Sequence, residues 1–95
     1  MKPNVVHGAK NPMYYVYVFK SSIDGKLYIG YTADLRKRIQ EHNRGSVIST
    51  KPRRPFKLVF YESFKSSTDA KRREQYFKTT KGKSSLHQIL RESLK

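Results

Sequence analysis

Tyr17, Tyr28, Arg38, His42 and Glu74 are the residues of this 95-residue chain whose side chains could do chemistry together. Hydroxyl, guanidinium, imidazole and a lone carboxylate are complementary tools for phosphodiester chemistry, because the first and third move protons and the second donates to anionic oxygens. Leu35, Arg38, Ile39 and His42 fall at helical spacing on one face, and Ala70, Glu74 and Phe77 repeat the pattern further on. A charge on a packing stripe is costly unless it is paired or wetted by a cleft. Each residue also has a plain reading: Arg38 with Glu74 as a structural ion pair, His42 as a satisfied core histidine, the tyrosines as ordinary strand residues. Taken together they point to a cleft.

The elements that must position them follow from the pattern. "MYYVYVFK" is rich in aromatic and β-branched residues and reads as a strand, with "LYIGY" as its hairpin partner across "SSIDGK". A turn centred on Asp24-Gly25 pairs residues whose numbers sum to 49, and this odd sum puts Tyr17 and Tyr28 on the same face. Gly30 then leaves a side-chain-free notch on that face, open to a ligand or marking a bulge. Thr32 is the expected N-cap of a helix running to about Asn43, with Gly45 as its stop. Residues 46–55 read as a proline-punctuated loop, and "FKLVFYES" as a third strand with Phe56, Leu58 and Phe60 opposed to Val59 and Tyr61. A second helix is predicted over residues 67–79, capped by Ser67 or Thr68. "KTTKGK" should break it before a last helix with Leu86, Ile89, Leu90 and Leu94 on one side. The order is ββαβαα: an α/β (α+β) domain with a small three-stranded, mainly antiparallel sheet flanked by helices. One domain is expected over residues 13–95, after a flexible tail at residues 1–12.

Composition narrows the partners. Lys and Arg number 21 against 7 Asp and Glu, a formal net charge of +14, so nucleic acid is favoured over an anionic membrane surface. At 36% hydrophobic residues the chain is too apolar to stay disordered. No apolar run approaches the roughly 20 residues that span a bilayer. The absence of cysteine excludes disulfides and a zinc-thiolate site, and is compatible with the reducing cytoplasm taken as the expected location.

On these residues the chain resembles the GIY-YIG nuclease family, in its small stand-alone bacterial branch. Tyr28-Ile29-Gly30 matches the YIG half. Tyr15-Val16-Tyr17 stands in the GIY position, matching at its final tyrosine. Arg38 lies ten residues and His42 fourteen residues after Tyr28, where the family places its helix arginine and a histidine or tyrosine. Glu74, in "DAKRREQYFK", matches the family's metal-binding glutamate. One departure is visible: several members carry an asparagine after that glutamate, and none occurs here after Asn43.

The resemblance implies an endonuclease that cuts phosphodiesters, DNA ahead of RNA, with one divalent cation. Glu74 would hold Mg²⁺ or Mn²⁺, Arg38 would donate to phosphate oxygens, and Tyr17 or Tyr28 would activate or orient the attacking water, with Tyr17 favoured. His42 would relay a proton or hydrogen-bond a tyrosine. A nucleic-acid-binding module that kept the fold but cuts poorly is the chief rival, and a structural partner-binding domain a third possibility without a positive mark in the sequence.

Overall fold

The computed structural model describes residues 12–95; the expected tail lies outside the described residues except for Pro12. Its elements are β1 (Tyr14–Ser21), β2 (Leu27–Thr32), α1 (Leu35–Arg44), β3 (Phe56–Phe64), α2 (Ser67–Phe77) and α3 (Thr80–Ile89), with one 3-10 turn at Lys51–Arg53. The predicted order ββαβαα is therefore observed. β1 is the central strand of a wholly antiparallel sheet, order β2-β1-β3, and β2 and β3 are its two edges.

A central strand covered on both faces has no polar side, and Val16, Tyr17, Val18 and Phe19 are each no more than 1% exposed. Val16 and Val18 pack with Ala70, Phe77, Leu86 and Leu90, the buried residues brought by α2 and the α3 end. Tyr17 and Phe19 pack on the opposite face with Phe56, Leu35 and Ile39 under α1. The sheet is thus the middle of three layers, and α1 and α2 lie on opposite sides of it. No helix among the described residues is long and apolar enough to cross a membrane.

Local chemistry moves several predicted boundaries. The β1–β2 register sums to 47, as in Tyr17 opposite Gly30, so the hairpin is centred one residue earlier than expected. Residues 22–25 form its loop, closed by Ser21 N–H to Lys26 O at 3.0 Å, and Gly25 (φ 69°) takes the last loop position. Ser21 Oγ accepts from the Ile23 and Asp24 amides, which holds the longer loop in place. The sum remains odd, so the two tyrosines still share a face.

The N-cap of α1 is Asp34, whose carboxylate accepts from Lys37 N at 3.1 Å, whereas Thr32 accepts from Asp34 N and shapes the approach. Gly45 (φ 84°) ends the helix as predicted. Ser66 caps α2, one residue before the expected candidates, and α2 stops at Phe77. "KTTKGK" is a cap and first turn rather than a long break: Thr79 Oγ1 accepts from Gly82 N at 2.9 Å and α3 starts at once. Leu86 and Leu90 are buried, but Ile89 is 47% exposed, so the apolar face of this segment is narrower than the sequence suggested.

The alternation predicted for β3 fails at a bulge. Val18 pairs with Phe60 and Phe19 with Leu58, which leaves Val59 as the extra residue. Phe56 and Leu58 consequently face α1, while Phe60 faces α2 and meets Phe77 edge-on at 6.1 Å.

Candidate active site

Tyr17 sits opposite Gly30 on the neighbouring strand, and its ring lies where a Cβ on Gly30 would be. The notch expected at Gly30 is therefore filled by the protein's own tyrosine rather than left open to a ligand. This overlap lets the phenol reach across β2, the edge strand.

At that edge the Tyr17 hydroxyl is held by two groups from α1. Arg38 Nε donates to it at 3.3 Å, and His42 Nε2 lies 3.3 Å away. On the far side of the imidazole, His42 Nδ1 is 2.9 Å from Thr50 Oγ1, and the Thr50 hydroxyl donates to Val47 O at 3.3 Å. One assignment of protons satisfies all of these contacts together. Thr50, having given its hydrogen to the carbonyl, accepts from Nδ1–H; Nε2 keeps its lone pair and accepts from the Tyr17 hydroxyl; the Tyr17 oxygen accepts from Arg38. The result is one directed chain, Arg38 to Tyr17 to His42 to Thr50 to Val47.

His42 is wholly buried, boxed by Phe19, Tyr28 and Phe56 with ring centres 4.9, 5.0 and 5.8 Å away. Burial, reinforced by the Arg38 charge, lowers its pKa to about 4, so the ring is neutral near pH 7. Burial also raises the Tyr17 pKa, against the opposing pull of Arg38. The phenol is accordingly protonated at rest. Both His42 nitrogens are engaged inside the protein, so the link between His42 and the cleft runs through Tyr17.

The cleft has a volume of about 330 Å³ and is lined by Tyr17, Tyr28, Arg38, Glu74, Tyr31 and Lys71, with Gly30 and Gln75. Because α1 and α2 cover opposite faces of the sheet, side chains from both meet only by wrapping round the β2 edge. Four of the five sequence candidates thus converge, and His42 stands directly behind Tyr17.

The plain reading of Arg38 and Glu74 as a structural ion pair does not hold, since each carries a different partner. Arg38 bonds Glu41 Oε1 at 3.0 Å, and Glu74 Oε2 bonds Lys78 Nζ at 2.8 Å. Gln75 Nε2 donates to the other Glu74 oxygen at 3.3 Å. This amide stands beside the carboxylate in a chain without the family's later asparagine. Lys71 and Gln75 were missed in the sequence although they fall at Glu74 −3 and +1 on an α-helix. Thr50 carried no signal at all, being one hydroxyl in a loop.

Among the described residues no three His, Cys, Asp or Glu side chains gather as a metal cage. Glu74, with its side chain 14% exposed, is the carboxylate that lines the cleft. A single hard oxygen donor facing a hollow with room for water and phosphate oxygens fits a cation such as Mg²⁺, which sheds its waters reluctantly.

Three antiparallel strands, a hairpin edge crossed by a tyrosine, and arginine and glutamate brought in from helices on opposite faces define a small α+β domain with one polar cleft at its sheet edge. The family model described as the GIY-YIG catalytic domain matches residues 13–87, and the chain belongs to this family of nucleases. The UPF0213 proteins of Staphylococcus aureus strains Mu50 and N315 are each 43% identical over 67 residues, covering 70% of this chain and 80% of theirs. The solution structure of UPF0213 protein BH0048 from Bacillus halodurans is 35% identical. It covers 81% of this chain and 84% of its own, with a TM-score of 0.52.

Proposed function

We propose that this protein is a divalent-metal-dependent endonuclease that hydrolyses nucleic-acid phosphodiester bonds, DNA ahead of RNA. One observation carries the reading: Tyr17, Tyr28, Arg38 and Glu74, supplied by four different elements, line a single cleft. The net charge of +14 supports a polyanionic substrate.

In hydrolysis a water oxygen bonds to phosphorus, a P–O ester bond breaks, and the water must lose a proton. Tyr17 is the group arranged for that proton. Its oxygen faces the cleft and, in the proton arrangement above, its own hydrogen points at His42 Nε2, so it can take the water's proton on one side as it passes its own to Nε2, leaving a transient imidazolium. The relay replaces a phenolate, which burial makes costly, by an imidazolium on His42 that burial and Arg38 also disfavour and that the negative charge growing on the phosphate offsets. Tyr28 lines the same wall and orients the water. Arg38 spends Nε on Tyr17 and one terminal nitrogen on Glu41, leaving further N–H donors for the phosphate oxygens as negative charge grows there. Glu74 would hold Mg²⁺ or Mn²⁺, which when bound offsets charge on the phosphate and the leaving oxygen.

A second reading, a binding module that cuts weakly, is favoured by one feature: both Glu74 oxygens already carry internal donors, Lys78 and Gln75. A cleavage panel separates the two. Duplex, single-stranded and branched DNA and RNA are incubated with Mg²⁺, Mn²⁺ or EDTA, beside a Glu74→Ala control. The nuclease reading expects cutting by the parent only with metal and none by Glu74→Ala, whose fold and nucleic-acid affinity persist. Undiminished cutting by folded Glu74→Ala protein would remove the metal role. Binding without cutting in every arm would establish the second reading.

A further inference from the structure

A second hollow, of about 400 Å³, opens beside the same edge strand but outside the cleft. Leu27 and Ile29 of β2 and Leu86 of α3 make an apolar floor; Lys26, Lys83 and His87 stand around it. Lys83, Leu86 and His87 follow helical spacing, so α3 presents them together. No carboxylate lines this hollow, and among the described residues neither Lys26 nor Lys83 has an ion-pair partner. The opposite end of β2 differs. There a hollow adjoining the cleft at Tyr31 and Arg38 is lined by Asp34 and Glu41 as well as Lys37 and Arg38, so its charges cancel and it offers a polyanion no net attraction.

We infer that the hollow between β2 and α3 holds the backbone of the nucleic-acid strand flanking the reacting phosphate, with Lys26 and Lys83 on its phosphates. The inference rests on the nucleic-acid reading of the cleft and adds a direction to it. Unbalanced positive charge lies along the β2 edge toward α3, whereas acids and bases cancel beside the α1 N-terminus, and this difference sets the direction of the strand. The reach is suitable: Leu27 and Gly30 are three strand residues apart, roughly 10 Å. That distance is about three nucleotides of duplex rise. The apolar floor takes the sugar-base side of the strand, while the lysines stay at the wetted rim.

The test measures binding without cutting. Fluorescence anisotropy of labelled duplex and single-stranded DNA is titrated in EDTA across a salt series. The Lys26→Gln/Lys83→Gln protein should bind on the order of tenfold more weakly at low salt. The slope of log affinity against log salt should shrink by about 2, the value for two lost phosphate contacts. Lys26→Arg/Lys83→Arg should restore both. Lys57→Gln/Lys65→Gln removes the same charge in and just beyond β3, the opposite edge strand, and should cost much less. Equal losses from the two glutamine pairs would show a diffuse field and overturn the hollow alone. A deficit toward polyglutamate but not toward DNA would reassign it to an acidic peptide and overturn it too. Absence of binding by the parent protein would overturn the nucleic-acid reading, and this inference with it.

Discussion

The Tyr17 ring lies across Gly30, in the space that a side chain on the facing strand would fill. That single overlap carries the phenol to the edge of the sheet, where Arg38 and His42 meet its hydroxyl and Glu74 shares its cleft. The glycine is required for room, since Gly30 has an ordinary negative φ while Gly25 and Gly45 are the positive-φ glycines.

Gly30→Ala should therefore push the phenol out of its hydrogen bonds. Overpacking of this kind costs about 1–3 kcal/mol. Urea unfolding should show that loss, and cleavage by the remaining folded protein should fall by two or more orders of magnitude. An alanine variant of parental stability and turnover would mean the ring has another place to sit.

Arg38→Ala should reduce turnover by about 10²–10³, the scale of a lost transition-state donor. Its ion pair with Glu41 is a third exposed on the arginine side and contributes at most about 1 kcal/mol. Kinetics should thus collapse while stability barely moves. Single-turnover rates beside thermal unfolding separate these effects, and a matched small loss in both would demote Arg38 to a structural residue.

The buried His42 makes stability depend on pH. Its pKa falls from 6.5 to about 4 on folding, so between those values the unfolded chain binds more protons than the native protein. Stability from this group is complete above pH 6.5 and is lost as pH drops toward 4, by on the order of 3 kcal/mol. Denaturant midpoints across this window should slope upward with pH, and His42→Gln should flatten that part of the curve. A slope unchanged in the variant would place its origin elsewhere.

Thr50 holds the far side of the imidazole from outside the cleft. Thr50→Val leaves Nδ1–H without its acceptor and should cost about 1–3 kcal/mol. Turnover should fall at least about tenfold as the lone pair is no longer held toward Tyr17. Thr50→Ser keeps the hydroxyl and should recover most of the rate. Equal rates for valine and serine variants would show that the tautomer does not matter.

Much of this molecule follows from local rules that act on the chain itself. Alternation along β1, helical spacing of Leu35, Arg38, Ile39 and His42, and the odd parity of the hairpin depend on fixed geometric periods. They were legible in the sequence even though the hairpin sum is 47 and not 49. The same periods placed Arg38 and Glu74 beside the packing stripes of their helices. The +14 charge likewise belongs to composition alone.

Tertiary structure decided what depends on distance between segments. Nothing in "FKLVFYES" announces that Val59 is surplus, because a bulge exists only relative to a partner strand; Phe60 consequently changed face. The ion pairs of Arg38 and Glu74 are by contrast local, i,i+3 to Glu41 and i,i+4 to Lys78, and helical spacing alone allows both. Thr50 became the partner of His42 because the loop returns beneath α1, and Gly30 became the seat of Tyr17 because the register set them face to face. A sequence carries spacing along one chain; contacts between different elements arise only once packing has brought them together.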